Sequence, residues 1–477
     1  MSKLVISTSV FQSQVADLLP CNNHQKSQLV HSLLNAYSLL PYFDEVLTLP
    51  YVKKNELLEF HSKAYINILI DRKLNRILPQ DIDDPVVESK WSELVELTTN
   101  WNEKVNQNLI DGFQRFTSRE DLYNYYQNRL NALEDDEDNI SVNKMVSNIE
   151  TTTKDPYVLE LEQKEYNLEG DCPIFSYLPM YCQVITGATL NLLDHLSPTE
   201  RLIGINWDGG RHHAFKQKAN GFCYINDVVL LIQRLRKLKL SKVTYLDFDL
   251  HHGDGVEKAF QYSRQIQTIS VHLYEPGFFP GTGSLNDSQN GKNIVNIPLK
   301  HGCDDNYLNL VASKIIHPLI KRHDPEVIIM ECGGDGLQGD RFNEWQLTIR
   351  GLSRTIVNIM KSYPQAHIFL LGGGGYNDLL MSRFYTYLTW CVTKEFSIAR
   401  QGEEDMSQDD PFDTRDDDDD SDSEQFIREH ELVEMYNEEN YQFWIYEMEG
   451  SSRMKTLRND NKVEDILELM KFYKLDT

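Results

Sequence analysis

Three side chains of the types that bind metal ions occupy alternate positions of one short, otherwise apolar segment. Asp247, Asp249 and His251 are separated by apolar residues, so on an extended strand they are predicted to project together. A buried charge must be paired or bound to a cation, because an isolated one is very costly. Carboxylates and imidazole without thiolates suit zinc or another first-row divalent ion, and Asp335 can supply a third ligand. The alternative is a hydrogen-bonded Asp–His network that holds no metal.

A second group of side chains is suited to acid–base chemistry beside such a metal. His212 and His213 are adjacent, and histidine is the side chain best suited to exchanging protons near neutral pH. Asp247 and Asp254 are predicted to accept from the outer nitrogens of these histidines, which would fix their tautomers. Tyr376 follows four glycines, and its hydroxyl is predicted to donate to a developing oxyanion. A histidine without a metal beside it is more often structural.

The elements that must position these residues are indicated by five short apolar runs, each followed by polar, glycine-rich sequence. The runs cover residues 202–206, 243–248, 268–273, 327–331 and 368–371. Helical segments are predicted over 29–37, 227–239 and 305–322. Alternating strands and helices predict an α/β fold with a single doubly wound, mostly parallel sheet flanked by helices. The active site is then expected beyond the carboxyl ends of the strands.

Two loop features near these strand ends have competing interpretations. Phe222 and Phe279 are flanked by glycine or proline, and together they are predicted to wall a narrow apolar channel above the metal. Ordinary core packing is the alternative for each ring alone. The glycines at 372–375 could form a phosphate cradle, but the P-loop lysine and the G-x-G-x-x-G spacing are both missing. A nucleotide site is therefore disfavoured.

Composition excludes several classes of protein. The 477 residues carry a formal net charge of −26, which argues against a chain that coats nucleic acid. No apolar run is long enough for a transmembrane helix, and no secretory signal is visible at the start. Seven scattered cysteines without a C-x-x-C pair predict a reducing compartment and neither a disulfide framework nor a cysteine zinc site.

The excess negative charge is concentrated in two segments. Residues 76–165 contain 20 acidic and 9 basic side chains, and residues 403–424 contain 13 acidic and one basic. Together they account for 23 of the 26 excess charges. We predict that the first is an acidic insert with short helices over 91–100 and 122–133, and that the second is a low-complexity loop.

Five motifs, in this order, resemble those of the zinc-dependent histone deacetylases. They are Gly-Arg-His-His-Ala at 210–214, Gly-Phe-Cys-Tyr-Ile-Asn-Asp at 221–227, Asp-Phe-Asp-Leu-His-His-Gly-Asp-Gly-Val-Glu at 247–257, Pro-Gly-Phe-Phe-Pro-Gly-Thr-Gly at 276–283 and Gly-Gly-Gly-Gly-Tyr at 372–376. The chain is most similar to the class I type, including its Hos-type fungal members, within the arginase-like deacetylase superfamily. The resemblance is strong over 166–400 and weaker over 1–70 and 426–460.

The resemblance implies a role for each residue singled out above. The implied zinc ligands are Asp249, His251 and Asp335. The implied catalytic residues are His212, His213, Asp247, Asp254 and Tyr376. The implied substrate-binding residues are Asp171 on the rim, Gly221, and the tunnel walls Phe222, Phe279 and Phe342. A structural potassium ion is also implied, at a site formed by Asp247, Asp249, His251 and Ser270.

Several positions depart from the family pattern. Arg211 stands where an aromatic residue usually precedes the two histidines, and it is expected either to lower an adjacent histidine's pKa or to point outward. Lys26 replaces a usual arginine, and Phe342 replaces a usual leucine. The Gly-His-Pro and lysine segment that class I members use for inositol phosphate is absent, although Arg341 and Arg383 remain.

The function implied by the resemblance is hydrolysis of Nε-acetyl-lysine on histones or other chromosomal proteins, with release of acetate. The alternatives are an arginase-like metallohydrolase that acts on a small acetylated amine and a catalytically idle chromatin scaffold. The implied partners are the acetylated protein and co-repressor or chromatin proteins, with no direct nucleic-acid or membrane binding. The implied location is the nucleus, with or without the cytoplasm. We expect one catalytic domain over 1–460, interrupted by the inserts at 76–165 and 403–424 and followed by a C-terminal helix or tail at 461–477.

Overall fold

The strands of this protein form one parallel sheet. The computed structural model describes residues 2–22, 25–70, 164–175, 177–397, 412 and 426–475. The strands in these ranges are β1 (Ser2–Ser7), β2 (Glu45–Leu47), β3 (Arg201–Asn206), β4 (Val243–Asp247), β5 (Ile266–Leu273), β6 (Ile294–Leu299), β7 (Val327–Glu331) and β8 (His367–Leu371). They follow the order β2-β1-β3-β8-β7-β4-β5-β6, and every neighbouring pair is parallel. All carboxyl ends therefore meet at one edge, and the predicted fold class is confirmed.

Helices connect these strands and cover the sheet. They are α1 (Val10–Ala16), α2 (Lys26–Ala36), α3 (Lys54–Leu57), α4 (Lys63–Ile70), α5 (Leu178–Leu190), α6 (Asp227–Lys237), α7 (Asp254–Phe260), α8 (Asp305–Val311), α9 (His317–His323), α10 (Ile349–Ser362), α11 (Asp378–Phe396) and α12 (Val463–Phe472). Side-chain caps begin the helices near the sheet edge: the Asn226 side chain accepts from the Val229 amide before α6, and Asn377 accepts from Leu380 before α11. None of the helices in the described ranges combines the length and apolar character needed to cross a bilayer.

The five predicted strands are all present, and three further strands were not predicted. β1 is a short apolar stretch between serines, β2 has only three residues, and β6 contains Pro298. β6 is the last strand of the sheet, where a proline is tolerated because one side makes no ladder hydrogen bonds. The helix predicted over 305–322 is interrupted by a π-helical turn at Ala312–Ile316. The helices predicted over 91–100 and 122–133 lie outside the described residues.

Two apolar layers cover the two faces of the sheet. Alternate residues of β4 enter different layers: Leu246 packs with one cluster, whereas Val243 and Tyr245 pack with the other. All five residues of β4 are buried, as are those of β7. A parallel strand that is buried on both faces reads as a continuous apolar run, which is why these two strands were recognisable from the sequence.

One residue of the predicted acidic loop over 403–424 belongs to the core. Phe412 is buried and stacks on Tyr37, with ring centroids 4.9 Å apart. Its ring also packs edge-on against Trp390 at 5.2 Å and lies 4.9 Å from Phe443. The acidic composition of the segment concealed this contact, because a single aromatic residue among many charges carries no periodic signal. All other residues of 403–424 lie outside the described part of the chain.

Candidate active site

Two carboxylates and a histidine converge beyond the ends of β4 and β7. His251 Nδ1 lies 2.9 Å from Asp335 Oδ2 and 3.2 Å from Asp249 Oδ1. One potential ligand atom from each residue lies within 4.8 Å of the others, and all three residues are buried. Ligands about 2.0–2.1 Å from a tetrahedral zinc ion are about 3.3 Å from one another. The donor types and their spacing therefore fit a small divalent cation.

Backbone amides hold the two carboxylates so that one oxygen of each faces the histidine. Gly374 donates to Asp249 Oδ2 at 2.6 Å, and Leu250 donates to Asp335 Oδ1 at 2.9 Å. A Cβ atom at Gly374 would lie 2.4 Å from Asp335 Oδ2 and 2.7 Å from Asp249 Oδ2. The glycine run after β8 is therefore needed for this close approach of the backbone to the carboxylates.

Burial and mutual repulsion shift the ionisation of the two carboxylates of this cluster. Burial and the neighbouring Asp249 raise the pKa of Asp335 to about 7. Burial opposes ionisation of Asp249 as well, but His212 and His251 hold its pKa well below the usual range. A divalent ion bound to both carboxylates would favour the ionised form of each.

The prediction that Asp247, Asp249 and His251 project together is wrong for Asp247. β4 ends at Asp247, where the backbone turns, so the two-residue alternation of an extended strand does not continue. Asp247 Oδ1 accepts from the Asp249 amide at 3.0 Å, and Asp249 Oδ1 accepts from the His251 amide at 2.9 Å. These local turns direct Asp249 and His251 toward Asp335, whereas Asp247 faces His212.

The two adjacent histidines each face a carboxylate, as predicted. His212 Nδ1 lies 2.9 Å from Asp247 Oδ2, and His213 Nδ1 lies 2.7 Å from Asp254 Oδ1. The two imidazole centroids are 3.8 Å apart. Gly221, whose φ is +49°, leaves room for this arrangement because a Cβ atom there would lie 2.5 Å from His213 Cδ2.

The environments of the two histidines drive their pKa values in opposite directions. Burial and the proximity of His212 lower the pKa of His213 to about 4, so this ring is neutral at pH 7. Burial also disfavours the charged form of His212, but Glu331 and Asp247 outweigh it and raise the pKa well above its usual value. A neutral and a charged imidazole side by side provide a proton acceptor and a proton donor in one site.

Glu331 was not predicted as part of the site. Its Oε1 lies 3.1 Å from His212 Nδ1, and its Oε2 accepts from the Tyr245 hydroxyl at 2.5 Å. It also forms a potential ligand group with His212 and Asp249. The signal that could have identified it is an acidic residue at the end of β7, where the preceding four residues are apolar.

Aromatic rings surround the cluster on its solvent side. Phe279 packs edge-on against His213 at 5.0 Å, and Phe342 packs edge-on against His251 at 4.8 Å. Both phenylalanines are 39% exposed. Phe278, which was not predicted, stacks on the His251 ring at 5.0 Å. The Asp249–His251–Asp335 cluster is thus reached from solvent past apolar ring faces.

Tyr376 lies at the opposite side of this ring of aromatics. Its ring is 5.9 Å from Phe222 and 5.2 Å from Phe342. Asp340 fixes both neighbouring loops: it accepts from the Tyr376 amide at 2.6 Å and from the Phe342 amide at 3.0 Å. Asp340 was not predicted, and only the tertiary contact between these loops identifies it.

The remaining predicted site residues lie nearby. Asp171 is exposed on the loop before α5, which is tied to the Phe222 loop because the Tyr224 hydroxyl donates to the Pro173 carbonyl at 2.5 Å. Ser270 pairs with Asp247 in the sheet register, and its hydroxyl lies 2.9 Å from His272 Nδ1. These positions bring Ser270 beside β4, but the potassium site stays a prediction.

Arg211 does not point outward. Its guanidinium donates to the Asp208 carbonyl at 2.7 Å and lines a cavity inside the protein with Lys26 and His212. The lowered pKa of His213 has burial and His212 as its main causes. The expectation of an outward side chain is therefore wrong.

Comparison with known proteins agrees with this geometry. Residues 19–392 match the family model described as histone deacetylase domain. The chain is 76% identical, over the full length of both chains, to histone deacetylase HOS1 of Saccharomyces cerevisiae. Over 231 residues it is 39% identical to histone deacetylase 8 of Xenopus tropicalis, covering 48% of this chain and 62% of that protein. It is 39% identical to human histone deacetylase 1 over 231 residues, 48% of this chain and 47% of that one.

The fold and site therefore define a hydrolase whose candidate metal-binding cluster lies at the carboxyl ends of a parallel sheet. The chain belongs to the histone deacetylase family, and the predicted resemblance is confirmed.

Proposed function

We propose that this protein hydrolyses the amide of Nε-acetyl-lysine on histones or another chromosomal protein, releasing acetate. The observation that carries the proposal is the position of two adjacent histidines, each facing its own carboxylate, beside the buried Asp249–His251–Asp335 cluster. Membership of the histone deacetylase family supports the same reaction. Apolar rings around the cluster suit a long, thin, neutral side chain.

Asp249, His251 and Asp335 would hold the zinc ion of this site. When bound there, zinc polarises the acetyl carbonyl and lowers the pKa of an attacking water from 15.7 to about 7. The fit of the three residues to zinc rests on their donor atoms and on their separations of 2.9 and 3.2 Å. A structural potassium ion near Asp247, Asp249, His251 and Ser270 is part of the same proposal.

The protein's own residues provide the proton transfers. His213 accepts the proton of the attacking water, because its ring is neutral and its Nδ1–H is directed at Asp254. His212, held protonated beside Asp247 and Glu331, donates a proton to the leaving lysine nitrogen. The Tyr376 hydroxyl donates to the oxyanion that develops on the acetyl oxygen, a contribution typically worth about 10²–10³-fold in kcat.

Substrate selection follows from the approach to the cluster. Phe222, Phe279 and Phe342 would form the walls of an acyl-lysine slot, and Gly221 keeps one wall open beside His213. Such a slot favours a neutral acylated lysine over a lysine ammonium, because desolvating the ammonium costs more. Asp171, exposed on the neighbouring loop, would accept backbone amides of the substrate at the rim.

The setting of the reaction is also part of the proposal. We place this activity in the nucleus, with or without a cytoplasmic pool, where deacetylation of chromatin would repress transcription. Co-repressor or other chromatin proteins are the proposed partners. The proposed organisation is a catalytic domain over 1–460, with inserts at 76–165 and 403–424 and a C-terminal helix at its end.

The proposal is tested with purified, zinc-loaded protein and acetyl-lysine peptides. Tyr376→Phe should lower kcat by about 10²–10³-fold while bound zinc stays at the wild-type level. Asp249→Asn should lose both zinc and activity, as measured by metal analysis and acetate release. Tyr262→Phe, at a tyrosine that is 77% exposed, is the matched control and should behave as wild type.

Two results would contradict the proposal. One is a wild-type protein with one zinc per chain that leaves acetyl-lysine peptides as untouched as Asp249→Asn does. The other is efficient hydrolysis of small acetylated polyamines with no hydrolysis of peptides, which would indicate an arginase-like metallohydrolase with a different substrate.

A further inference from the structure

A small cavity adjoins the Asp249–His251–Asp335 cluster. It has a volume of about 20 Å³, which is room for one or two water-sized groups. Its lining includes Asp249 and Tyr376 together with Lys26 and Arg211. An acyl group that entered this cavity from the cluster would therefore meet two cationic side chains.

A single peptide group separates one of these cations from the metal cluster. Lys26 Nζ donates to the Gly373 carbonyl at 3.3 Å, and the amide of the same peptide unit, that of Gly374, donates to Asp249 Oδ2 at 2.6 Å. Lys26 is thus joined to the cluster through one peptide unit, and both border the same cavity. An acyl group longer than acetyl would therefore share the cavity with this cation.

No carboxylate lies within ion-pair distance of either cation in the described ranges: neither Lys26 nor Arg211 forms a salt bridge there. Asp227 and Asp378 act on the charges of Arg211 and Lys26 only from a longer distance. Arg211 donates to one carbonyl, that of Asp208. Its Nε is buried, and no atom of the described chain accepts a hydrogen bond from it.

These observations favour an anionic group in the cavity. The two cations repel each other, and burial together with Arg211 lowers the pKa of Lys26. A carboxylate in the cavity would relieve this repulsion and accept a hydrogen bond from Arg211 Nε, since charge-assisted bonds to guanidinium are among the strongest in proteins. A neutral acyl chain would leave the repulsion in place.

We propose that Lys26 and Arg211 form a subsite for an acyl group that ends in a carboxylate, so that the enzyme also removes short acidic acyl groups from lysine. The malonyl group fits the cavity best, because it extends acetyl by a single carboxylate. The inference rests on the proposed function. In the reaction, the water oxygen bonds to the acyl carbon, the carbon–nitrogen bond breaks, and both water protons end on the lysine nitrogen, giving malonate and lysine ammonium.

The test compares three peptides that differ only in the acyl group on one lysine: acetyl, malonyl and acetoacetyl. Acetoacetyl has the shape of malonyl but no charge, so the ratio of kcat/KM for malonyl over acetoacetyl isolates the carboxylate. The ratio should exceed one for the zinc-loaded wild-type protein. Arg211→Leu should lower it by about tenfold or more, the factor expected when a buried charged hydrogen-bond partner is removed.

Two further variants separate recognition of the carboxylate from general damage. Arg211→Lys keeps the charge and should retain most of the ratio. Arg236→Leu, at an exposed arginine in the last turn of α6, is the matched control and should leave the ratio unchanged. The affinity of the Tyr376→Phe protein for the malonyl and acetoacetyl peptides gives a binding readout that does not depend on turnover.

The outcomes distinguish this inference from the proposed function. The acidic subsite is refuted if the acetoacetyl peptide is preferred to the malonyl peptide in both turnover and binding, and if Arg211→Leu leaves that preference unchanged. Hydrolysis of the acetyl peptide in the same experiment would still support the proposed deacetylase function. If no acyl peptide is hydrolysed, the proposed function fails; preferential binding of malonyl peptide that is lost in Arg211→Leu would still support the subsite.

Discussion

Replacing either partner of the buried ion pair between Arg383 and Glu439 should strongly destabilise the protein. The two side chains are 0% and 3% exposed, and Arg383 Nη2 lies 2.8 Å from Glu439 Oε2. Arg383 also donates to the carbonyls of Leu379 and Gln442, each at 2.9 Å. The pair thus fastens α11, which begins just after Tyr376, to the segment that follows residue 426.

The expected magnitude follows from the burial of both charges. Replacing Arg383 or Glu439 alone by methionine leaves the other charge buried and unpaired, which costs about 3–5 kcal/mol of unfolding free energy. Replacing both removes the charges together, so the double variant should lose much less than the sum of the single losses. We expect a coupling energy of at least about 2 kcal/mol. The exposed pair Lys361–Glu395, at 2.6 Å, provides the matched control and should couple by about 1 kcal/mol or less.

The assay is urea unfolding of the four proteins of each cycle, followed by both fluorescence and circular dichroism. A double variant that loses the full sum of the two single losses would refute the reasoning, because the pair would then contribute no mutual stabilisation. The active site offers a second readout. Glu439 accepts from the Tyr446 hydroxyl, and Asn377 donates to Tyr446 Oη at 2.8 Å. The single variants should therefore also lower peptide turnover.

Three other changes have clear expected outcomes. Asp254→Asn should lower kcat by about 10²-fold with zinc content unchanged, because His213 loses its carboxylate partner at 2.7 Å; a wild-type rate would contradict the role of His213 as base. Burial lowers the pKa of His61 to about 3, and its Nε2 accepts from the Asn226 amide at 3.0 Å. As the pH falls, His61 is protonated near pH 6.5 in the unfolded state but only near pH 3 in the folded state. Its contribution to the free energy of unfolding is therefore complete above pH 6.5 and falls by about 1.4 kcal/mol per pH unit between pH 6.5 and pH 3. His61→Gln should reduce this slope in urea melts between pH 6.5 and 5, and an unchanged slope would contradict the assignment. Deleting 403–424 should destabilise the protein by about 3–5 kcal/mol and Phe412→Ala should reproduce that loss, whereas deleting only 413–424 should leave melting and peptide turnover near wild type.

The predictable parts of the fold are the strands whose burial on both faces makes their local sequence apolar. Val243–Asp247 and Val327–Glu331 are largely apolar, apart from Thr244 and the last residue of each strand, because both faces of each strand are covered. β2 and β6 gave no such signal, since one is very short and the other contains Pro298. Their strand conformation depends on pairing with β1 and β5 at the two edges of the sheet.

The candidate site likewise contains residues that local motifs predicted and residues that they did not. The side chains that the motifs singled out, including the pairs His212–Asp247 and His213–Asp254, come together in the structure. Glu331 and Asp340 were missed because each acts across a gap in the sequence, on His212 and on the Tyr376 loop. Their roles, like those of the predicted residues, stay proposals for the experiments above.

The sequence by itself determined which chemical groups are present and in what order, because metal ligands, histidine pairs and glycine runs occur in short contiguous motifs. It also determined that the chain belongs to the histone deacetylases and that most of its negative charge lies in two segments. Only the tertiary structure decided where each group points. The backbone turn after Asp247 leaves that side chain facing His212 while Asp249 faces His251. Packing turns Arg211 inward, where it lines the same cavity as Lys26. Side-chain direction outside regular strands depends on contacts between distant residues, and local spacing does not encode those contacts.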